Sequence, residues 1–374
     1  MLKGIHLTLL IGPVVATPVP QVVLDALTSV QVTTSAGERS GFQLTFTLSN
    51  QSPLQTFFLL TGGSIPPILR VILIATVSGT PNVLIDGVVT HQQVTPADNG
   101  RSTLTVTGQD LSAVMDLIDF SGTPFPAMPA EARVMLLCAK YAFLGIIPQV
   151  IPSVLIDLPI PTEQIPTQQG TDLSYINSLA DEVGYVFYLE PGPMAGQSIA
   201  YWGPEIKVGA PQPALNINMD AHTNVESLDF SFDGESAMLP IVMIQNKETK
   251  AIIGIPVPPI TPLNPPLGLI PPIPKNIEYQ DYTAKYSPIR AALVGITKAS
   301  KTADIVTANG TLDVTRYGRI LKARQLVGVR GAGLAYDGLY YVKTVKHEIK
   351  RGEYKQSFTL TRNGLISTLP NVPA

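Results

Sequence analysis

Apolar and polar residues alternate at Phe42, Leu44, Phe46 and Leu48. Successive side chains of an extended backbone leave on opposite faces, so this is the pattern of a strand with one face buried. The same period covers residues 71–74, 83–85 and 102–107, with turn chemistry at Ser78-Gly79 and Asp86-Gly87. Residues 31–107 therefore predict an antiparallel barrel or sandwich.

The period changes after Gly108. Leu111, Val114, Met115 and Ile118 fall on one face of a short helix. A longer helix is expected over 131–143, with Pro129 near its start and Gly145 as its stop. A third opens at Thr171 or Asp172, whose side-chain oxygen can accept from free backbone N–H groups. It places Leu173, Ile176, Leu179, Ala180 and Val183 on one face, ends at Gly184 and runs into a strand over 185–189. Strand character returns over 226–244 and 321–365. The expected division is a β domain at 1–110, an α+β domain at 111–222 and a second β domain at 223–374.

Within the last domain, residues 252–274 read IIGIPVPPITPLNPPLGLIPPIP. Proline fixes φ and removes a backbone donor, which excludes a regular helix or a central strand and predicts an extended segment. Its isoleucine, leucine and valine content leaves two readings, an arm on a neighbour or a loop packed on its own domain. A loose repeat adds to the picture. Arg70, Gly79, Asp86-Gly87, His91, Gly100 and the strand 103–107 recur as Arg324, Gly331, Asp337-Gly338, His347, Gly352 and 357–361. Two similar β domains or a coincidence of spacing both account for it.

Composition narrows the class. Charged residues are 14% of the 374, the net charge is −3 and 45% of residues are apolar. No basic footprint for nucleic acid is present. The most apolar stretch, 57–77, contains Gly62, Gly63, Pro66, Pro67 and Arg70, so no run is clean enough to cross a bilayer. Pro13 likewise interrupts the apolar run that follows Lys3, against a secretory signal. Surface buried between subunits is the remaining explanation.

Candidate chemistry is sparse. The four histidines, His6, His91, His222 and His347, are scattered, and no G-x-S-x-G elbow accompanies them. Cys138 lies in an apolar segment as an inert buried thiol, and being the single cysteine it forms no intrachain disulfide. Asp181 and Glu182 are adjacent at a helix end and point apart, unlike a glycosidase pair. Gly328 to Gly333 read GVRGAG but precede a strand, so they form a hairpin and not a dinucleotide loop. The sequons at Asn50 and Asn309 are coincidental without secretion. No catalytic, cofactor-binding or metal-binding residues are assigned, and the partner-binding residues stay undetermined.

Two segments carry a resemblance. Residues 171–192, TDLSYINSLADEVGYVFYLEPG, are similar to the helix-strand signature of the phage late control D and tail baseplate hub family. Residues 310–365 resemble its C-terminal β region, with the DG-x-Y-x-V strand, the histidine and the G-x-Y-x-x-x-F-x-L-x-R-N-G ending. Residues 82–119 are similar to the family's first barrel and following helix. The resemblance implies a mainly β fold, two tail-tube-like antiparallel β-barrels flanking a middle α+β domain. It also implies a non-enzymatic homotrimer with pseudo-six-fold symmetry that joins a hexameric tail tube to a trimeric spike, among other baseplate proteins. Assembly in the bacterial cytoplasm is expected. The type VI secretion relatives continue into their own spike, so here a separate spike protein is expected. The proline-rich segment is not part of the family pattern. The rival reading is a β-rich receptor- or carbohydrate-binding tail protein, against which the single tryptophan, Trp202, speaks weakly.

Overall fold

Alternation becomes pairing in the first third of the chain. The strands there are β1 (Ile5–Gly12), β2 (Thr17–Pro18), β3 (Leu27–Ser35), β4 (Gly41–Ser49), β5 (Arg70–Val77), β6 (Thr80–Pro96) and β7 (Arg101–Asp110). The computed structural model describes residues 4–49, 68–96, 101–153, 165–235, 238–245, 252–257, 264–271, 274, 276–280, 291, 294–296, 299, 303–369 and 372. Residues 50–67, which include most of the apolar stretch 57–77, lie outside it. The turn expected at Ser78-Gly79 is present, both residues having positive φ (49° and 81°). The one expected at Asp86-Gly87 is not, because both lie inside β6. Asp86 is held there by Arg70, and a Cβ at Gly87 would collide with the Gln109 carbonyl of the neighbouring strand.

The middle region holds β8 (Ile146–Val150), β9 (Val186–Pro191) and β10 (Ser198–Gly203) in a small sheet with β10 at its centre. Its helices are Ser112–Met115, Ala130–Ala139 and Asp172–Val183; the second stops four residues short of the expected 143, and a separate turn of 3-10 helix at Ala142–Leu144 carries the chain to Gly145 (φ 77°). The Thr171 hydroxyl accepts from the Ser174 N–H at 3.2 Å, and Gly184 closes the helix in the left-handed region (φ 73°). Val134, Leu137, Cys138, Ile176 and Trp202 pack together, and Ile68 and Val88 of the first region join the same core.

The remaining strands are β11 (Gln212–Asn216), β12 (Ser227–Phe232), β13 (Met238–Gln245), β14 (Ile252–Pro256), β15 (Gly268–Ile270), β16 (Asn276–Gln280), β17 (Val306–Asp313), β18 (Leu326–Arg330), β19 (Gly338–Lys350), β20 (Glu353–Arg362) and β21 (Leu365–Ser367). The described parts of the proline-rich segment include the extended strands β14 and β15, and both are hydrogen-bonded. β14 is an edge strand on β13, and β15 pairs with β21. Edge positions tolerate prolines because their missing donors would face away from the ladder. Residues 258–263, between these strands, lie outside the described set.

Among the described residues the two expected closed barrels do not form. One thirteen-stranded sheet runs through both halves in the order β12-β17-β20-β19-β3-β4-β7-β6-β5-β1-β2, with β18 and β11 branching from β19. All pairings in it are antiparallel except β11 with β18. The reason is the pairing of β3 with β19: the edge that would close the first half on itself is used by the second.

A buried ion pair locks the middle region to the first. Arg70 Nε and Nη2 donate to the Asp86 carboxylate at 2.8 and 2.6 Å, while Nη2 also donates to the carbonyls of Leu144 (2.8 Å) and Gly196 (3.1 Å). Burial pushes the Asp86 carboxyl up, and the hydrogen bonds and charge of Arg70 oppose that push. Replacing Arg70 by Met strands a buried carboxylate and is expected to cost about 3–5 kcal/mol. R70M/D86L is expected to recover much of the loss, as read from denaturant midpoints. Additive losses in the double variant would contradict the assignment.

Candidate assembly surfaces

The seam between the halves is built from backbone. β3 and β19 pair from Ser35 opposite Thr344 to Ser29 opposite Lys350. Val30 and Val32 on β3 and Val345 and His347 on β19 are buried along it. His347 Nδ1 lies 2.8 Å from the Tyr354 hydroxyl and 3.4 Å from the Gln356 amide nitrogen. That amide is oriented by its other bonds, accepting from the Leu321 N–H and donating to the Leu321 carbonyl. Its nitrogen can only donate, so Nδ1 accepts and the ring is neutral. Burial lowers the His347 pKa to about 4. Arg324 extends the seam, donating from Nη2 to the Ser35 carbonyl at 2.7 Å with its guanidinium 4.1 Å from the Tyr188 ring centroid.

Two kinds of unmatched surface remain. The main sheet ends at β12 on one side, and on the other β2 covers only Leu10 and Ile11 of β1. Apolar side chains also project from the small sheet of β13, β14 and β16. Ile252, Ile253, Ile255, Ile277 and Tyr279 are exposed there, and Leu269 and Ile270 are exposed on β15. Scattered exposed apolar residues are ordinary, but here five stand on the two edge strands of one small sheet and two more on β15.

The residues weighed for chemistry do not converge. His6 lies on β1, His91 on β6, His222 in a short turn of helix and His347 inside the seam. Cys138 is buried, and desolvation raises its pKa to about 12. Asp181 and Glu182 stand near the end of the helix Asp172–Val183. Gly328 to Gly333 fall on β18 and the turn into β19, the hairpin expected. Among the described residues no three His, Cys, Asp or Glu side chains are placed to hold a metal.

Sequence reasoning missed a cleft of about 450 Å³ between the middle region and the second half. Tyr188 and Tyr201 stack in its wall at 4.9 Å, opposite Arg324 and Tyr341. Lys207, buried in it, pairs with Asp304 at 2.8 Å. These residues come from distant stretches of chain, so no motif announces them.

No protein-family model and no curated protein matches this sequence. Solved structures do match. A tail protein from Neisseria meningitidis MC58 superposes with a TM-score of 0.65 at 13% identity, over 97% of this chain and 98% of that one. The 43 kDa tail protein of prophage MuSo2 from Shewanella oneidensis gives 0.59 at 14% identity, over 97% and 99%. The PdpA-VgrG complex of Francisella gives 0.62 at 10% identity, where this whole chain spans 55% of the matched one. At these identities the likeness is one of fold, shared with phage tail proteins and with the PdpA-VgrG complex.

The buried imidazole makes the seam acid-sensitive. The folded pKa of about 4 lies below the ordinary 6.5, so the unfolded chain binds the proton more readily. The stabilisation is complete above about pH 6.5 and is lost as pH falls towards 4. Denaturant midpoints are expected to show about 2 kcal/mol lost between pH 7 and pH 5 through this group. His347→Gln should remove that share of the slope, and an unchanged slope would contradict the assignment.

Proposed function

We propose that this chain, whose fold is shared with phage tail proteins, is a structural baseplate hub joining a tail tube to a spike. The observation that carries the reading is the single sheet through two similar halves, with an unmatched strand at its end. Three such chains would present six β units to a six-fold tube while keeping three-fold symmetry for a spike. The exposed apolar residues on β14, β15 and β16 suit contacts with neighbouring baseplate subunits. A non-enzymatic role accords with the scattering of histidines and carboxylates, and with neighbours that are tail proteins. Assembly would take place in the bacterial cytoplasm, followed by incorporation into a tail or injection particle.

Light scattering coupled to size exclusion is expected to give three times the 40.0 kDa chain mass, alone or with the spike protein. Pull-down should recover the tube and spike proteins encoded beside it. A monomer indifferent to both would overturn the proposal.

A further inference from the structure

The two halves of the sheet follow one strand plan. β5, β6 and β7 form an antiparallel meander, as do β18, β19 and β20, and each meander continues into an antiparallel pair, β4–β3 or β17–β12. A bulge fixes the correspondence. β6 skips Thr90 between Val89 and His91 against β7, and β19 skips Lys343 between Val342 and Thr344 against β20. The bond before each bulge is also shared: Val89 N–H donates to the Leu69 carbonyl and Val342 N–H to the Gln325 carbonyl, both at 2.9 Å. Thr90 therefore corresponds to Lys343, and Val94 to His347.

The outer strands correspond by the same pairing. Val32 on β3 lies opposite Phe42, Phe42 opposite Gly108, and Gly108 opposite Val89. Phe230 on β12 lies opposite Ala308, Ala308 opposite Leu360, and Leu360 opposite Val342. Phe230 is thus the counterpart of Val32. Within the chain β3 runs along the second part of β19 and sets Val32 opposite His347. The corresponding joint, between β12 and the second part of β6, is not made within one chain. β5 leaves β6 at Val88, and β12 has β17 as its only strand partner among the described residues.

Burial marks the same gap. Val94 sits opposite Leu104, which is 2% exposed on the core face, yet Val94 itself is 45% exposed; His347, its counterpart, is 5% exposed. Phe232 at the end of β12 is 48% exposed. Among the described residues no strand pairs with this side of residues 91–96 of β6, and a strand edge with apolar side chains on its core face is a template for another strand.

We infer that β12 of one copy adds antiparallel to the second part of β6 of the next copy, in the register of the internal seam. Phe230 then lies opposite Val94, Ser231 opposite Gln93 and Asp229 opposite Thr95. The inference rests on the trimer reading, because a head-to-tail contact of this kind must close into a ring or run on as a filament.

The test is disulfide trapping in the full chain. Gln93 and Ser231 are both exposed, so cysteines there leave the core intact. Opposed residues of an antiparallel pair have Cα atoms about 4.5–5.5 Å apart, within disulfide range. The expected result for Q93C/S231C after mild oxidation is loss of the monomer band to covalent dimer and trimer. Q93C/D229C, slipped by two residues, should stay monomeric on the gel, its cysteines being about 7–8 Å apart. A trimer by light scattering that fails to cross-link at Q93C/S231C, or cross-links equally at the slipped pair, overturns this register and leaves the trimer standing. A chain that stays monomeric with and without the spike overturns both.

Discussion

A strand edge can satisfy its backbone groups in only a few ways, and in this chain the edge of β19 is satisfied by β3, more than three hundred residues away in sequence. That ladder takes the edge by which the first half could close on itself. With the edge taken, the strands continue as one sheet, and the closure that a barrel would achieve internally is displaced to the sheet's ends.

Buried charges orient the layers around this sheet. Arg70 spans from Asp86 to carbonyls of the middle region. Arg362 does the equivalent in the second half, donating to the carbonyls of Ala335, Asp337 and Gly364 above the Tyr340 ring. In the middle region the buried Asp172 accepts from Lys140, Tyr141 and Gln168. Each network joins segments that apolar packing alone would leave free to slide, since hydrogen bonds have direction and the hydrophobic effect does not. The chain thus uses few charges and buries several of them where elements must hold one relative position.

Local signals were legible in the sequence. The period-two run at Phe42 to Leu48, the Ser78-Gly79 turn, the Thr171 cap and the Gly184 stop all act within a few residues, and each forms as its chemistry dictates. The Asp86-Gly87 signal failed for a reason of the same kind seen from outside. A dipeptide that favours a turn stays in a strand when its carboxylate is claimed by Arg70 and its missing Cβ by the Gln109 carbonyl. The cleft at Tyr188 and Tyr201 and the burial of His347 left no trace in sequence, because their partners are contributed by remote strands.

The sequence by itself determined the strand with alternating burial at Phe42 to Leu48, the turn at Ser78-Gly79 and the helix capped by Thr171 and stopped by Gly184. Only the tertiary structure decided that two β regions share one sheet, that the proline-rich segment pairs at edges, and which apolar edges are left over. The division has a physical cause. Periodicity and capping are encoded by neighbours in the chain, whereas the partner of a strand edge is chosen by competition among all the edges the chain brings together.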